Sequence, residues 1–502
     1  MGLPSSVARG FVNTDPATRA NLWGIYGQDT YAVSRQLTLN VALRWDVVTQ
    51  PVDKFNRQSN FDTTTGLLDI ATANNRAPNV DNYYGNVDPR IGFSYSPNNG
   101  KTAIRGAFGI TTFTANGGGI GGSLERNFPF FEQYSVTQSA AYTPWATLGA
   151  ASGVNPAYAN YYHGLPAFVP LSTAAPVTPQ PNSSVSLMSQ HFRPDNANAW
   201  NFGIQQQLTA TTAFSITYVG TKGSHIFRER NINTPQPGPG AQAPRRPFYA
   251  LSPNVSTLNY YGSDGKSNYD ALQAEFTKRM SHGLSGRIAY TWSKELDNTN
   301  VFDPLPGQDR LNYGVGNEQA PNVPNNFVAS LTYQLPFGRG RAWLTNSPRA
   351  VEALVGGWQV STITTLQSGQ PMTIHLTSDN LNNGMSNRAN SVCSSVRTLG
   401  KTSEWFDTNC FTTPALYQIG NSGLDKAVSP GYADSDISLS KTEKIHNQMN
   451  LGVQIDAFNA LNHPYLAHPN TTCCSASNPL FGVITGTNGP PRNLQLGAHL
   501  TF

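Results

Sequence analysis

Some residues have types and spacings that could support chemistry. Gly117, Gly119 and Gly122 form a GxGxxG after a segment of strand character. Such glycines let a backbone wrap a pyrophosphate only when the loop opens a helix and an acid follows about 20 residues later. Residues 123–131 contain Pro129 and do not continue as a helix, so the glycines read as an outer loop. Of the nine histidines, the nearest in sequence are His446, His463, His468 and His499, and no two offer ligand spacing on one element. His463, directly before Pro464, suits a turn after a strand. Asp297, Asp303 and Asp309 share one long segment and could act as a carboxylate pair, but a solvated outer loop explains them better. Neither GxSxG nor HExxH occurs. No catalytic residue, cofactor site or metal site is expected.

The four cysteines are Cys393, Cys410, Cys473 and Cys474, with no CxxC pair. Cys393 and Cys410 lie in one polar, loop-like stretch, where an oxidising compartment would favour a disulfide. Cys473 and Cys474 have two readings, a strained vicinal bridge or free thiols.

Composition bounds the class of protein. Charged residues are 12% of 502, about half the roughly 25% of soluble globular proteins. Aromatics reach 11%, and mean hydropathy is only −0.37 because Asn, Gln, Ser and Thr replace the missing charge. This mixture suits surfaces that alternate between lipid and water. The formal net charge of +4, with no dense Lys/Arg cluster, gives nucleic acid nothing to bind. No stretch approaches the roughly 18 apolar residues of a membrane helix, a test that barrel strands escape. The first ten residues carry no apolar signal region.

The elements that must position these residues are strands. Residues 36–47 alternate Leu37, Leu39, Val41, Leu43, Trp45 and Val47 against Gln36, Thr38, Asn40, Ala42, Arg44 and Asp46. The last ten residues set Leu494, Leu496, Ala498, Leu500 and Phe502 against polar or small neighbours. Similar period-two runs centre on Phe108, Phe202, Ile216, Tyr290, Leu331 and Val453, with noisier ones near Trp23, Ile91, Leu272, Trp358 and Ile437. Arg44, Asp46, Arg105, Glu275, Arg287 and Asp456 all fall opposite the apolar set. A charge on the lipid side would cost about 2–4 kcal/mol at mid-membrane. Lys278, Lys294 and Lys441 are exceptions at strand ends, where long side chains snorkel to the interface.

Connectors alternate in length. Short ones are expected at 34–35, 98–100, 209–211, 281–283 and 442–448, and long polar segments at 49–87, 114–196, 223–267, 297–324, 378–432 and 460–492. That is the rhythm of periplasmic turns and external loops in a transmembrane barrel. The connector 337–356 is longer than a turn yet falls on the short side. The count is about 13 strands, with the first and the last both running toward the periplasm. Because bacterial single-chain barrels carry even strand numbers, this odd count predicts further strands upstream.

Several segments resemble one family. They are Tyr26-Gly-Gln-Asp29, Leu37-Thr-Leu-Asn40, Leu43-Arg-Trp-Asp46, Asp88-Pro-Arg-Ile-Gly-Phe93, Gly357-Trp-Gln-Val360 and Gln367-Ser-Gly-Gln-Pro371. Trp405-Phe-Asp407 with Phe411, Asp436-Ile-Ser-Leu-Ser-Lys441, Phe458-Asn-Ala-Leu-Asn-His-Pro464 and Pro491-Arg492 continue the series. In order and spread they resemble the C-terminal barrel of Oar-like TonB-dependent receptors. The resemblance implies a barrel of about 22 strands with a plug, energised through TonB to import a scarce ligand. The family's signal peptide, N-terminal β domain, plug and TonB box are not recognised among these residues.

The expectation is an all-β transmembrane antiparallel barrel, with residues 1–20 as a lead-in from an external loop and 21–502 as barrel. It places the chain in the outer membrane as scaffold and outer gate of a transporter, and not as an enzyme. Its expected partners are outer-membrane lipid, the barrel-assembly machinery through Phe502 as C-terminal signal, and TonB only through the plug. A surface adhesion or structural barrel without energised import is the alternative.

Overall fold

The computed structural model describes residues 6–12, 17–113, 123–137, 176–179, 183–298, 322–446, 449–474 and 478–502. Gly117, Gly119, Gly122, Asp303 and Asp309 lie outside them. Thirteen strands form one antiparallel meander in strict chain order. They are β1 Leu22–Ala32, β2 Leu37–Val48, β3 Tyr83–Tyr95, β4 Thr102–Phe113, β5 Asp195–Thr209, β6 Thr212–Asn231 and β7 Val255–Ser281. The rest are β8 Leu284–Asp297, β9 Asn325–Gln334, β10 Trp358–Gln367, β11 Tyr432–His446, β12 Met449–Phe458 and β13 Asn493–Thr501. The short segment Ser183–Met188 adds a fourteenth strand, parallel to the far end of β7. No pairing joins β1 to β13 among the described residues, so the sheet is an open wall.

Short turns gather at one end of this wall. Between β7 and β8 only His282 and Gly283 intervene, at φ 51° and 77°. Positive φ at both central residues is what a tight two-residue hairpin with native strand twist requires. The register puts the apolar positions of neighbouring strands side by side: Trp45 opposite Ile25, Phe202 opposite Tyr218, Leu272 opposite Trp292, Leu451 opposite Leu500. Trp200 leans over Gly220 on the next strand, where even a methyl group would collide with its indole.

The wall's apolar face is not buried. Leu43 is 55% exposed, Trp292 60% and Leu496 79%. In water such a surface would be a severe liability; in hydrocarbon it is the required one. The opposite face carries Arg44, Asp46, Arg105, Glu275, Arg287 and Asp456, as the alternation predicts.

The dry core lies in the long connectors. Among the described residues the large side chains with almost no exposure include Phe61, Leu68, Leu124, Ile374, Leu381 and Phe406, all from segments between strands. One cluster joins Phe61, Leu68, Phe128, Val185 and Val255. Another joins Met372, Ile374, Leu376, Phe406 and Phe411, with Phe481 stacked edge-on at 5.4–6.0 Å. A disulfide joins Cys393 and Cys410 at this cluster, with Cα atoms 5.1 Å apart. The sulfurs of Cys473 and Cys474 also lie in contact with each other. These loops build a folded cap over the outer end of the wall.

Two expectations need correction. Residues 223–267 are not a long loop, because β6 continues to Asn231 and β7 starts at Val255. Beyond the membrane both faces of this hairpin are polar or covered, so the alternation that reveals a strand fades. Second, Lys441 does not snorkel into solvent: it is 7% exposed and donates to the Glu352 and Ala353 carbonyls at 3.1 and 2.7 Å. Those carbonyls belong to a short helix, α1 (Arg349–Val355), inside the connector 337–356.

Adjacent positions on β12 test which face meets lipid. Val453→Arg should destabilise the inserted protein by about 2–4 kcal/mol. Gln454→Arg, facing the lumen beside Asp456, should cost under about 1 kcal/mol. Urea unfolding in lipid vesicles measures both, and equal costs would contradict the assignment.

Candidate functional site

Period two puts every second residue of each strand on the inner face, so the charges there are dictated locally and brought together by register. On the β1–β4 side basic and acidic groups are paired. Arg44 Nε donates to Asp46 Oδ2 at 2.6 Å, and Arg44 lies opposite Asp88 on β3. Asp88 accepts from the Thr112 hydroxyl and amide, both at 2.8 Å. Midway round, Arg287 on β8 donates to Glu275 on β7 at 2.6 Å. These pairs hold long side chains against the wall and leave the lumen polar.

The β10–β12 side differs. Asp434 and Asp436 on β11 and Asp456 on β12 share the inner face, and among the described residues no basic side chain is bonded to them. The Tyr432 hydroxyl donates to Asp434 at 3.1 Å, and the Tyr432 ring meets Tyr465 edge-on at 4.9 Å. Both rings, both carboxylates, His463 and Asn488 line an open cavity of about 600 Å³ at the outer end of the strands. Its floor is fixed by Asn459 (φ 46°), whose amide donates to Asp436 at 2.9 Å and whose side chain brackets His463 from both sides. His463 thus sits in the turn after β12, where its neighbour Pro464 suggested it. Rings beside carboxylates suit a ligand that offers hydroxyls or positive charge.

A second node anchors the cap above β1 and β2. Asp53 has no exposure; it accepts from the amides of Ala17, Phe55 and Arg57 and from the Arg57 guanidinium at 3.0 Å on each oxygen. Burial by itself would raise its pKa, but the Arg57 side chain and these N–H groups outweigh burial and hold the carboxyl well below the usual carboxylate range. Nearby Glu125 goes the other way: burial pushes it up, partly opposed by the Thr18 hydroxyl at 2.7 Å.

The residues singled out from sequence do not converge. Cys393 and Cys410 belong to the cap, His499 lies over Gly452 on the inner face, and Asp297 is buried at the end of β8. Phe502 ends the edge strand and is 93% exposed. Among the described residues no group of three His, Cys, Asp or Glu is arranged to hold a metal. Sequence reasoning missed the Tyr432–Tyr465 mouth. The Asp-Ser-Asp at 434–436 was a usable signal, because acids two apart on a strand share a face.

Comparison with known proteins follows from this geometry. A family model described as the outer membrane beta barrel domain matches residues 1–495. Among solved structures, the FrpB iron transporter from Neisseria meningitidis is similar at 11% identity with a TM-score of 0.43, covering 96% of this chain and 46% of its own. The ferripyoverdine receptor of the Pseudomonas aeruginosa outer membrane gives 10%, 0.45, 96% and 38%. The outer membrane transporter YddB from Escherichia coli gives 10%, 0.44, 96% and 54%. The chain therefore spans between 38% and 54% of these proteins. No curated protein matches it.

Asp53→Asn should weaken the cap by about 1.5–3 kcal/mol, since it removes the buried carboxylate that accepts from the partly exposed Arg57 guanidinium and from three amides. A depressed carboxyl stabilises fully above its unfolded value of about 4 and loses that contribution as pH falls below it. Limited proteolysis of the cap should therefore accelerate on acidification in the native protein, with a smaller acid effect in the variant.

Proposed function

Because the chain belongs to the outer membrane beta barrel domain family, we propose that its wall is part of a TonB-dependent transport barrel, acting as scaffold and outer gate for energised uptake. The width of the wall carries this reading. Thirteen strands at about 4.8 Å spacing make an arc of about 60 Å, and among the described residues its two edges do not pair with each other. Barrels that wide cannot be filled by their own side chains; they hold a channel or, near 22 strands, a plug. Further strands then satisfy the free edges of β1 and β13, and a plug couples the lumen to TonB.

The inner face supplies a polar path, and the cap and the Tyr432–Tyr465 mouth select what enters it. Selection rests on contacts rather than bond-making, so the role is transport without catalysis. Phe502, closing an alternating strand, serves the assembly machinery as the recognised end.

Uptake of candidate solutes (ferric chelates, copper, oligosaccharides and peptides) is measured in cells with and without the gene, and with and without TonB. One class should enter only when both are present. If the barrel reaches the outer membrane and no solute depends on both, the adhesion reading replaces this one. Separately, deleting Phe502 should lower the folded, membrane-inserted fraction several-fold, scored by heat-modifiable migration, without changing synthesis.

A further inference from the structure

The β9–β10 connector is an unusual object at the turn end of the wall. Residues 335–357 join two adjacent strands that a tight turn would serve, and they include Arg339, Arg341 and Arg349 against a single acid, Glu352. Glu352 turns inward, accepting from the Arg339 amide at 2.8 Å and the Ser347 hydroxyl at 3.1 Å. Arg341 and Arg349 are exposed; the Arg341 guanidinium donates to Gln334 at 3.0 Å, and the Arg349 side chain has no bond among the described residues.

The apolar residues are also exposed. Val351, Leu354 and Val355 recur at helical spacing on one side of α1, and Leu354 is 74% exposed. Trp343, its ring tilted against Phe337 at 5.1 Å, is 59% exposed. Nothing among the described residues covers this stripe.

Its placement tells what does. Trp358 and Lys441 are direct cross-strand partners on the lipid-facing side, in the rows of Val360 and Leu439. Trp358 Nε1 donates to the Leu354 carbonyl at 2.8 Å, while Lys441 Nζ donates to those of Glu352 and Ala353 and pairs with Glu443 at 3.2 Å. The C-terminal end of α1 is thereby pinned against the outside of the wall, at its periplasmic edge. The exposed stripe continues the lipid-facing surface, and the exposed Arg341 and Arg349 lie where headgroups begin. An amphipathic element with Trp and Leu on one side and Arg on the other has the make-up of an interfacial anchor.

We propose that this connector lies in the periplasmic-leaflet interface, with Leu354 and Trp343 among acyl chains and Arg341 and Arg349 binding anionic phospholipid headgroups. Arginine matches a phosphate diester with two parallel N–H donors, and each basic side chain at an anionic surface is worth on the order of a fivefold change in partition. The proposal rests on the wall being a membrane barrel. It assigns the buried Lys441 a positioning role, holding the anchor at the correct depth.

The test is photocrosslinking in the full-length chain inserted in vesicles of phosphatidylcholine, with or without phosphatidylglycerol. p-Benzoylphenylalanine replaces Leu354 in one sample and the wall residue Leu43 in another. Both positions should yield lipid adducts, with phosphatidylglycerol enriched at 354 only. Arg341→Glu with Arg349→Glu should lower that enrichment by roughly fivefold per arginine and leave position 43 unchanged. Lipid adducts at 43 with protein adducts only, or none, at 354 would overturn the anchor alone. An enrichment indifferent to charge reversal would overturn its headgroup chemistry. Absence of lipid at 43 would remove the barrel reading and this inference with it.

Discussion

Every backbone N–H and C=O that enters hydrocarbon must be paired within the protein, since each one left unpaired costs several kcal/mol. The continuous ladder from β1 to β13 satisfies that demand along the whole wall. It also explains the plain meander: neighbours in sequence are neighbours in space, and no crossover interrupts the hydrogen bonding. The demand applies equally at the two edges, which is the physical ground for the partners proposed for β1 and β13.

Once the ladder is in place, apolar side chains are released from the task they have in a soluble protein. On the wall they face outward and are exposed, as Leu43, Trp292 and Leu496 are. Hydrophobic burial is instead concentrated in the cap, where Phe61, Leu68, Ile374 and Phe406 are almost completely enclosed. The loops can therefore be long without being loose. The Cys393–Cys410 link and the Asp53–Arg57 node, both in the cap, reinforce segments that otherwise pair only over two residues.

The two ends of the wall do different work. At the outer end, carboxylates and tyrosines from β11 and the connector after β12 open a cavity toward the lumen. At the periplasmic end, turns are tight except where α1 is fastened to Trp358 and Lys441.

Much of this was legible in the residues themselves. Strict alternation gives the strands, their inner and outer faces and the count of thirteen, because the pleat repeats every two residues regardless of context. Turn and loop ends follow from connector length. The tall β6–β7 hairpin was not legible, since alternation carries information only while the two faces meet different solvents. Nor were the Tyr432–Tyr465 mouth, the Asp53 node or the burial of Lys441. Each draws in a group many residues away, Ala17 in the case of Asp53, and only register and loop packing bring it within a few ångströms. Sequence alone determined which side of each strand faces oil, because that is a local periodic property. The tertiary structure alone decided which polar groups meet at the mouth and what the outward lysine bonds to, because those depend on distances the chain does not encode locally.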